Sequence, residues 1–189
     1  MSFPDESQLE EYLGVTFDVS ETARAASLLS MSVALVRGYT GQTLSLVTDD
    51  TVTLPGPASR TLFLPEIPVI GVTSVTYAGV ELVAEIDYQV WTTAGLLTRD
   101  YHYGYGYGWS PGYVEVTYTH GYATIPDDLR AVVLTSAARG WENPTMMPRE
   151  SVGTYSPSYA QSGFNLGAGV YLTDSERAVL DRYRIFATA

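Results

Sequence analysis

The sequence contains no cysteine and no lysine among its 189 residues. Without cysteine, the chain can form no disulfide and carries no thiol nucleophile or thiolate metal ligand. Ten arginines stand against 21 acidic residues, which leaves a formal net charge of −11 at neutral pH. Because nucleic-acid recognition usually relies on basic patches that release counterions, this balance argues against sequence-specific DNA or RNA binding.

Long apolar runs are also missing, and none approaches the roughly 20 residues that a membrane-spanning helix needs. The first residues, MSFPDESQLEEYLG, show no basic leader followed by an apolar core. We therefore expect neither a membrane span nor a secretory signal. Hydrophobic residues make up 46% of the chain, enough for one good core or for one core with a small inserted subdomain.

Recognisable catalytic and metal-binding motifs are missing too. The two histidines, His102 and His120, have no third ligand at a spacing typical of a metal site, and the G-x-S-x-G elbow of a serine hydrolase is absent. Each pair of adjacent acids has a structural explanation: a turn between strands for Asp49-Asp50, a helix start for Asp127-Asp128, and a polar helix face for Glu10-Glu11. We expect no enzymatic activity, no metal site and no cofactor.

The segment DVSETARAASLLSMSVALVRG has the pattern of a long helix. Asp18 and Glu21 form a capping-box pattern at its start, and Gly38 is expected to end it. Apolar residues recur between them at steps of three and four and form one stripe: Ala26, Leu29, Val33 and Val36. A shorter helix is expected before it, in DESQLEEYLG, with Gly14 at its end.

Two further helices are predicted towards the C-terminus. The segment IPDDLRAVVLTSAARGWENP has Pro126 in its first turn and is expected to end at Gly140 and Asn143. Its apolar face comprises Leu129, Val132, Val133 and Ala137. The last helix is expected to begin at Thr173, which forms a capping box with Glu176.

Between these helical segments, residues 41–122 consist of short runs rich in Val, Thr, Tyr and Leu, several with a period of two. Ala78-Gly79 has the composition of a tight hairpin turn. Prolines stand at the ends of the runs, where they do not interrupt a central ladder: Pro55, Pro57, Pro65 and Pro68. The pattern predicts a compact antiparallel sheet unit, either a small sandwich or a partly closed barrel.

The sequence as a whole predicts an α+β fold: a small helical bundle with an inserted antiparallel β unit and a long C-terminal arm. The expected ranges are 1–40 for the first helices of the bundle, 41–122 for the inserted β domain, 123–144 for a core helix, 145–172 for the arm and 173–189 for the C-terminal helix. The helices on both sides of the insert share one core, so the two ends of the insert must lie close together.

The arm, residues 145–172, combines little charge with many Gly, Ser and Tyr residues and no helical period. It is long for a plain connection and too rich in large apolar side chains for a plain linker. Two interpretations remain open, a disordered linker or a segment that orders against a partner. Its candidate interface residues are Met146, Met147, Tyr155, Tyr159, Phe164 and Tyr171.

The stretch DYHYGYGYGWSPG, residues 100–112, places aromatic side chains at alternate positions. In an extended chain they share one face, and the opposite face carries only His102 and glycines. They are further candidate interface residues: Tyr101, Tyr103, Tyr105, Tyr107 and Trp109. Three uses remain open: cover for the β unit's own core, contact with a neighbouring subunit or tail component, or a sugar platform. Because no helix is expected to follow, the glycines do not fit a phosphate-binding loop.

Several stretches taken together resemble the head-to-tail connector, or adaptor, proteins of long-tailed phages. They are LPEIPVIGVTSVTYAGVEL, DYQVWTTAGLLTR, VEVTYTHGYATIPDDLRAVVLTSAARGWENP, ESVGTYSPSY and LTDSERAVLDRYR. The resemblance extends over residues 18–184, and its specificity rests on three stretches taken together: PVIGVTSV, the junction YTHGYATIPDDL and ESVGTYS.

The resemblance implies a structural virion protein that forms a homo-oligomeric ring, typically a dodecamer, beneath the portal. Such a ring joins the capsid to the next connector or the tail, and DNA passes through its central channel without sequence-specific binding. The implied partners are further copies of the chain, the portal protein, and the next connector or tail component. The implied location is the neck of the virion, after assembly in the host cytoplasm.

Two consequences follow for this chain. An acid-rich wall without lysine would repel DNA from the channel surface, although salt screens this effect beyond about 8–10 Å. In the resembling family the C-terminal segment often docks against the portal, which would give the arm a purpose. A carbohydrate-binding or adhesion module that uses the aromatic-rich β unit is the alternative function.

Overall fold

A computed structural model describes residues 2–99, 108–142 and 169–185 of the chain. The chain divides into two compact units. The helical unit comprises Met1–Gly41 and Ile125–Arg184, and the β unit comprises Gln42–Thr124 and Ile185–Ala189. Helices and antiparallel sheets are both present, so the predicted α+β class is confirmed. Most of the predicted arm lies outside the described residues.

The described part of the helical unit contains four α-helices, and a short 3₁₀ turn, Asp181–Tyr183, follows the last one. The helices are α1 (Glu6–Leu13), α2 (Val19–Thr40), α3 (Asp127–Glu142) and α4 (Asp174–Leu180). Helices α2 and α3 form the main contact of the unit, and α1 and α4 each pack against both of them. None of the described helices combines the length and the hydropathy of a membrane-spanning segment.

Helix α2 begins where the sequence predicts and ends later. The Asp18 carboxylate accepts hydrogen bonds from the backbone N–H groups of Ser20 and Glu21, which completes the predicted capping box. The predicted end at Gly38 is wrong, because the helix continues to Thr40 and Gly41 adopts the left-handed conformation that terminates it.

The buried stripe of α2 also differs from the predicted one. Leu29 and Val36 are buried as expected, whereas Ala26 and Val33 are half-buried. The remaining buried positions are Ala25, Ser32 and Thr40. The two hydroxyl groups are satisfied inside the helix, because the Ser32 Oγ donates to the Leu28 carbonyl and the Thr40 Oγ1 to the Val36 carbonyl, both at 2.9 Å. A pattern that counts only apolar residues misses such positions.

Helix α3 buries its predicted apolar face, which comprises Leu129, Val132, Val133 and Ala137. The predicted end at Gly140 is wrong, because Gly140 lies inside the helix. A Cβ atom there would lie 2.7 Å from the Val170 side chain and 2.8 Å from the Leu28 side chain. Glycine is therefore needed for the close approach of α2 and of the segment around Val170, and it does not act as a helix stop.

A network of charged hydrogen bonds holds α4 and the segment before it against α3. The Arg139 guanidinium donates to both carboxylate oxygens of Glu176, at 2.9 and 2.8 Å, and to the Tyr171 carbonyl at 2.7 Å. Thr135 donates to the same carboxylate, and Thr173 completes the predicted capping box with it. Burial raises the pKa of Glu176, but the hydrogen bonds from Arg139, Thr173 and Thr135 outweigh burial and hold this pKa below its ordinary value.

The described part of the β unit contains two antiparallel sheets. The strands are β1 (Val47–Pro55), β2 (Thr61–Phe63), β3 (Val69–Tyr77), β4 (Val80–Glu81), β5 (Gln89–Trp91), β6 (Leu96–Thr98) and β7 (Tyr113–His120). The four-stranded sheet has the order β1-β7-β3-β4, and the three-stranded sheet has the order β2-β6-β5. Ala78 and Gly79 form the predicted turn between β3 and β4, both with positive φ.

The predicted turn at Asp49-Asp50 is wrong, because both residues lie within β1. The pairing with β7 is irregular between Val47 and Asp50, and Asp49 has a φ of 50°. At this bulge the two carboxylates reach side chains of β3 and β7. The Thr73 Oγ1 donates to Asp49 at 2.6 Å, and Asp50 lies 3.2 Å from the Nε2 atom of His120.

The two sheets share one hydrophobic core. Strand β7 contributes Val114, Val116 and Tyr118, which alternate with outward-facing residues. Leu62 and Leu97 contribute from the three-stranded sheet. The other buried members are Leu64, Val69, Val75, Tyr88 and Trp109. The β unit is thus a small sandwich.

We expect the Glu176→Gln variant to lose about 2–3 kcal/mol of unfolding free energy at neutral pH, because it leaves the partly buried Arg139 without its counter-ion. The Asp174→Asn control removes an exposed ion pair and should lose less than about 1 kcal/mol. Urea denaturation of both variants is the measurement, and equal losses would contradict the importance of this network.

A comparison of the wild type with the Glu176→Gln variant also tests the direction of the Glu176 pKa shift. A lowered folded-state pKa stabilises the fold above the ordinary glutamate pKa, and this stabilisation disappears as the pH falls through the folded-state value. The stability difference between the wild type and Glu176→Gln should therefore be constant near neutral pH and shrink only in acid. A difference that grows towards acid would contradict the assignment.

We further expect Trp109→Ala to cost about 3–5 kcal/mol, because Trp109 is a fully buried member of the β core. The matched control is Trp91→Ala, since Trp91 is 54% exposed and its loss should cost less than about 1 kcal/mol. Denaturation followed by circular dichroism compares the two variants. A loss at Trp91 as large as that at Trp109 would contradict the burial that the structure shows.

Candidate interaction surfaces

Nine of the eleven candidate interface residues lie outside the described residues. They are Tyr101, Tyr103, Tyr105, Tyr107, Met146, Met147, Tyr155, Tyr159 and Phe164. His102 lies outside them as well. For these positions the prediction of an intermolecular contact stays a prediction. The structure places the other two candidates, Trp109 and Tyr171, in different units.

Trp109 is fully buried, which corrects its assignment as an interface residue. Its backbone N–H donates to the Ser59 carbonyl at 2.7 Å, and its ring meets the Tyr77 ring edge-on at 6.0 Å. The Arg99 guanidinium lies over both rings, 4.9 Å from the Tyr77 centroid and 5.7 Å from that of Trp109. Trp109 therefore completes the core of its own β unit, one of the three uses that the sequence left open.

The other described candidate, Tyr171, lies half-buried beside α3. The Arg139 guanidinium stacks over its ring at 4.8 Å and also donates to its carbonyl group. The Ser136 Oγ donates to the same carbonyl at 3.3 Å. Tyr171 is thus tied to the helical unit, and an intermolecular contact at its exposed part stays a prediction.

His120 is buried in the β unit and forms a pair with Asp50, whose side chain is partly exposed. The Tyr118 and His120 rings lie against each other, with 4.9 Å between their centroids, and burial raises the pKa of Tyr118. In the described residues, no group of three or more His, Cys, Asp or Glu side chains is placed to hold a metal ion. The cluster of Tyr118, His120 and Asp50 links the end of β7 to the bulge in β1.

The outer face of the three-stranded sheet carries a surface that the sequence analysis missed. Phe63 and Trp91 both lie directly opposite Leu96, one on each side of β6. Phe63 is 55% exposed and Trp91 is 54% exposed. The three side chains form a row across the sheet, which we call the aromatic row. The alternation in RTLFL and YQVWT was the available signal, since it separates Phe63 and Trp91 from the inward-facing Leu62 and Val90.

The helical unit has a shallow groove of about 640 Å³ between α2 and the segment that leads into α1. Its apolar lining and rim comprise Pro4, Ala26, Leu29, Ser30, Val33 and Ala34. Asp5 and Glu6 lie at the α1 side of this groove, and Arg37 lies beneath the Phe3 ring on the α2 side. We call this feature the α2 groove.

Solved structures share the fold of the chain. A chain from the neck of an empty GTA particle computed with C6 symmetry has a TM-score of 0.55 at 21% identity and covers 97% of this chain and 90% of its own length. A chain from the neck of a native GTA particle computed with C12 symmetry has a TM-score of 0.53 at 18% identity, with coverages of 97% and 89%. A chain from the virion of a native gene transfer agent particle has a TM-score of 0.57 at 20% identity, with coverages of 100% and 95%.

No curated protein sequence matches the chain. The head completion protein family, in contrast, matches residues 3–136. This range includes helices α1 and α2, all seven strands β1–β7 and the first part of α3. The match confirms the resemblance found in the sequence, and it covers well over half of the chain, so the chain belongs to the head completion protein family and is a structural head-to-tail connector protein.

Proposed function

We propose that the protein forms a homo-oligomeric ring in the neck of a phage-like particle, directly beneath the portal protein. The observation that carries this proposal is the family match together with the shared fold of chains from necks computed with C6 and C12 symmetry. A dodecamer is the stoichiometry we expect. The ring joins the capsid to the next connector or the tail, and it assembles in the host cytoplasm before the particle is complete.

The charge of the chain supports a role as a channel wall. Each copy carries a formal net charge of −11, and its basic side chains are all arginines. In the described residues, many of these arginines pair with acids or stack on aromatic rings, as Arg139 does with Glu176 and Tyr171. A wall of this composition repels DNA at short range, so that packaged DNA passes the ring without being held.

The protein acts in this proposal as a structural component without catalytic activity. The pair of buried His120 and partly exposed Asp50 has a structural role, since it joins β7 to the bulge in β1. We assign contacts with the portal to the arm, residues 145–172, whose apolar and aromatic side chains suit a protein partner. Gly169, inside the arm, lies close to Gly140 of α3, so the described part of the arm is anchored on the helical unit.

Particles assembled without this protein test the proposal. Because the ring supplies the joint between portal and tail, we expect filled or partly filled heads and free tails, with very few tailed particles in electron micrographs. Supplying the protein from a plasmid should restore the tailed particles. His120→Gln should restore them as well, apart from a modest loss of stability.

Tailed particles in normal numbers without the protein would contradict the proposal. If such particles failed only in attachment to cells or glycans, the adhesion alternative would replace it. A catalytic activity that disappeared with His120→Gln would overturn the structural assignment of that residue.

A further inference from the structure

We propose that neighbouring subunits of the ring contact each other through the aromatic row of one copy and the α2 groove of the next. This inference rests on the proposed ring and names the two surfaces that build it. The occupant of the groove is a second copy of this chain, and the side chains that enter it are Phe63 and Trp91.

The aromatic row is unusual for the solvent side of an antiparallel sheet, which is normally polar. Thr61, Gln89 and Thr98 complete the outer face of the three-stranded sheet, so that none of its six side chains is charged. The Trp91 Nε1 donates to the Thr98 hydroxyl at 3.0 Å, which fixes the indole on this face. Apolar side chains that form a contiguous exposed group, in contrast to scattered ones, indicate an interaction surface.

The four-stranded sheet of the same unit provides an internal comparison. Its outer face along β7 carries one exposed aromatic side chain, Tyr113, followed by Glu115, Thr117 and Thr119. The Thr51 and Thr117 hydroxyls bond to each other at 2.9 Å across the two strands. This is an ordinary solvated face. The two sheets therefore share one core but differ on their outer sides, and among the described residues only the three-stranded sheet exposes an aromatic row.

The α2 groove has a lining that suits apolar side chains. Its floor is apolar, with Leu29 buried and Ala26 and Val33 half-buried, while Ser30 and Ala34 lie exposed at its rim. Its volume lies within the range of about 300–1,000 Å³ that is typical of ligand pockets, so it has room for aromatic side chains. Aromatic anchors that fill a pocket on the partner are the usual centre of a protein interface.

The charge of the chain is compatible with a second copy as the occupant of the groove. Two copies that each carry −11 repel each other wherever their acidic surfaces meet. The aromatic row has no charged side chain, and helix α2 has none between Arg24 and Arg37. A contact between these two surfaces therefore brings no acid of the sheet face against the helix.

The geometry of a ring also favours a contact between two copies through different surfaces. A closed ring of more than two copies needs a heterologous contact, in which two different patches of the same chain meet. The aromatic row lies on the β unit and the α2 groove on the helical unit, so that the patches are different. One patch is a row of exposed apolar side chains, and the other is a groove with a mostly apolar lining.

Cross-linking tests the contact directly, because the chain contains no cysteine and every introduced thiol is unique. Ser30→Cys places a thiol at the rim of the α2 groove, and Gln89→Cys places one beside Trp91. We expect a mixture of these two variants to give a cross-linked heterodimer with a short bis-maleimide, both in concentrated solution with portal protein and in purified particles. Neither variant alone should dimerise. Thr53→Cys, exposed on the outer face of the other sheet, is the matched control and should not cross-link to Ser30→Cys.

Disruption of the row provides a second measurement. The double variant Phe63→Ser with Trp91→Ser should weaken ring association at least about 30-fold, the factor expected when a single interface hot spot is lost. Tyr113→Ser removes an aromatic side chain that is 74% exposed on the other sheet and should change association less than about 2-fold. Thermal melts of the free chains establish that each variant is folded.

The outcomes separate this inference from the proposed function. Rings that form normally with the double variant, or that give no cross-link between the Ser30→Cys and Gln89→Cys variants, overturn the inference and leave the proposed ring intact. Dimers of Ser30→Cys alone or of Gln89→Cys alone show a two-fold contact and overturn it as well. If the wild type forms no ring in particles, the proposed function fails together with the inference.

Discussion

The β unit depends on a single constraint, which is that its two ends must lie side by side. The backbone N–H of Tyr122 donates to the Leu44 carbonyl at 2.8 Å, and the N–H of Leu46 donates to the Tyr122 carbonyl at 3.1 Å. Gly121 permits this approach, because it has a φ of 86° and any Cβ atom there would collide with the Ser45 carbonyl. With the ends paired, β7 ends at a fixed position, and it pairs with β1 on one side and β3 on the other. The β insert therefore interrupts the helical unit in sequence, but the two ends of the insert lie next to each other.

The helices and their starts could be predicted from the sequence because their signals are local. The capping boxes of Asp18 and Thr173 involve residues three positions apart, and the apolar face of α3 repeats within one helix. Helix ends were less predictable, since glycine terminates a helix in one place and permits close packing in another. Gly140 is the second kind, because the groups that exclude a side chain there, Val170 and Leu28, are far away in the sequence. No local pattern contains that information.

The candidate surfaces show the same division between local and distant information. Alternation along the chain placed Trp109 in one series with the tyrosines before it, but its burial depends on the backbone contact with Ser59 and the ring contact with Tyr77. The aromatic row was hidden for a related reason. Phe63 and Trp91 are 28 positions apart, and only the pairing of β2 and β5 with β6 brings both beside Leu96. Period two shows which face a residue occupies, whereas the register between strands decides which residues become neighbours.

The aromatic row and the β core are two consequences of the same strand pairing. Each strand of the three-stranded sheet has three residues, and so short a sheet is stable only when its inner face packs against a core. Leu62, Val90 and Leu97 provide that inner face. The backbone of the outer residues is then already fixed, so association through their side chains costs little additional conformational entropy. Repulsion between the negatively charged copies acts over about 8 Å at physiological salt. It therefore opposes only those arrangements of subunits in which acidic side chains come close to each other. Repulsion of this range selects the uncharged faces for contact and leaves assembly through them unhindered.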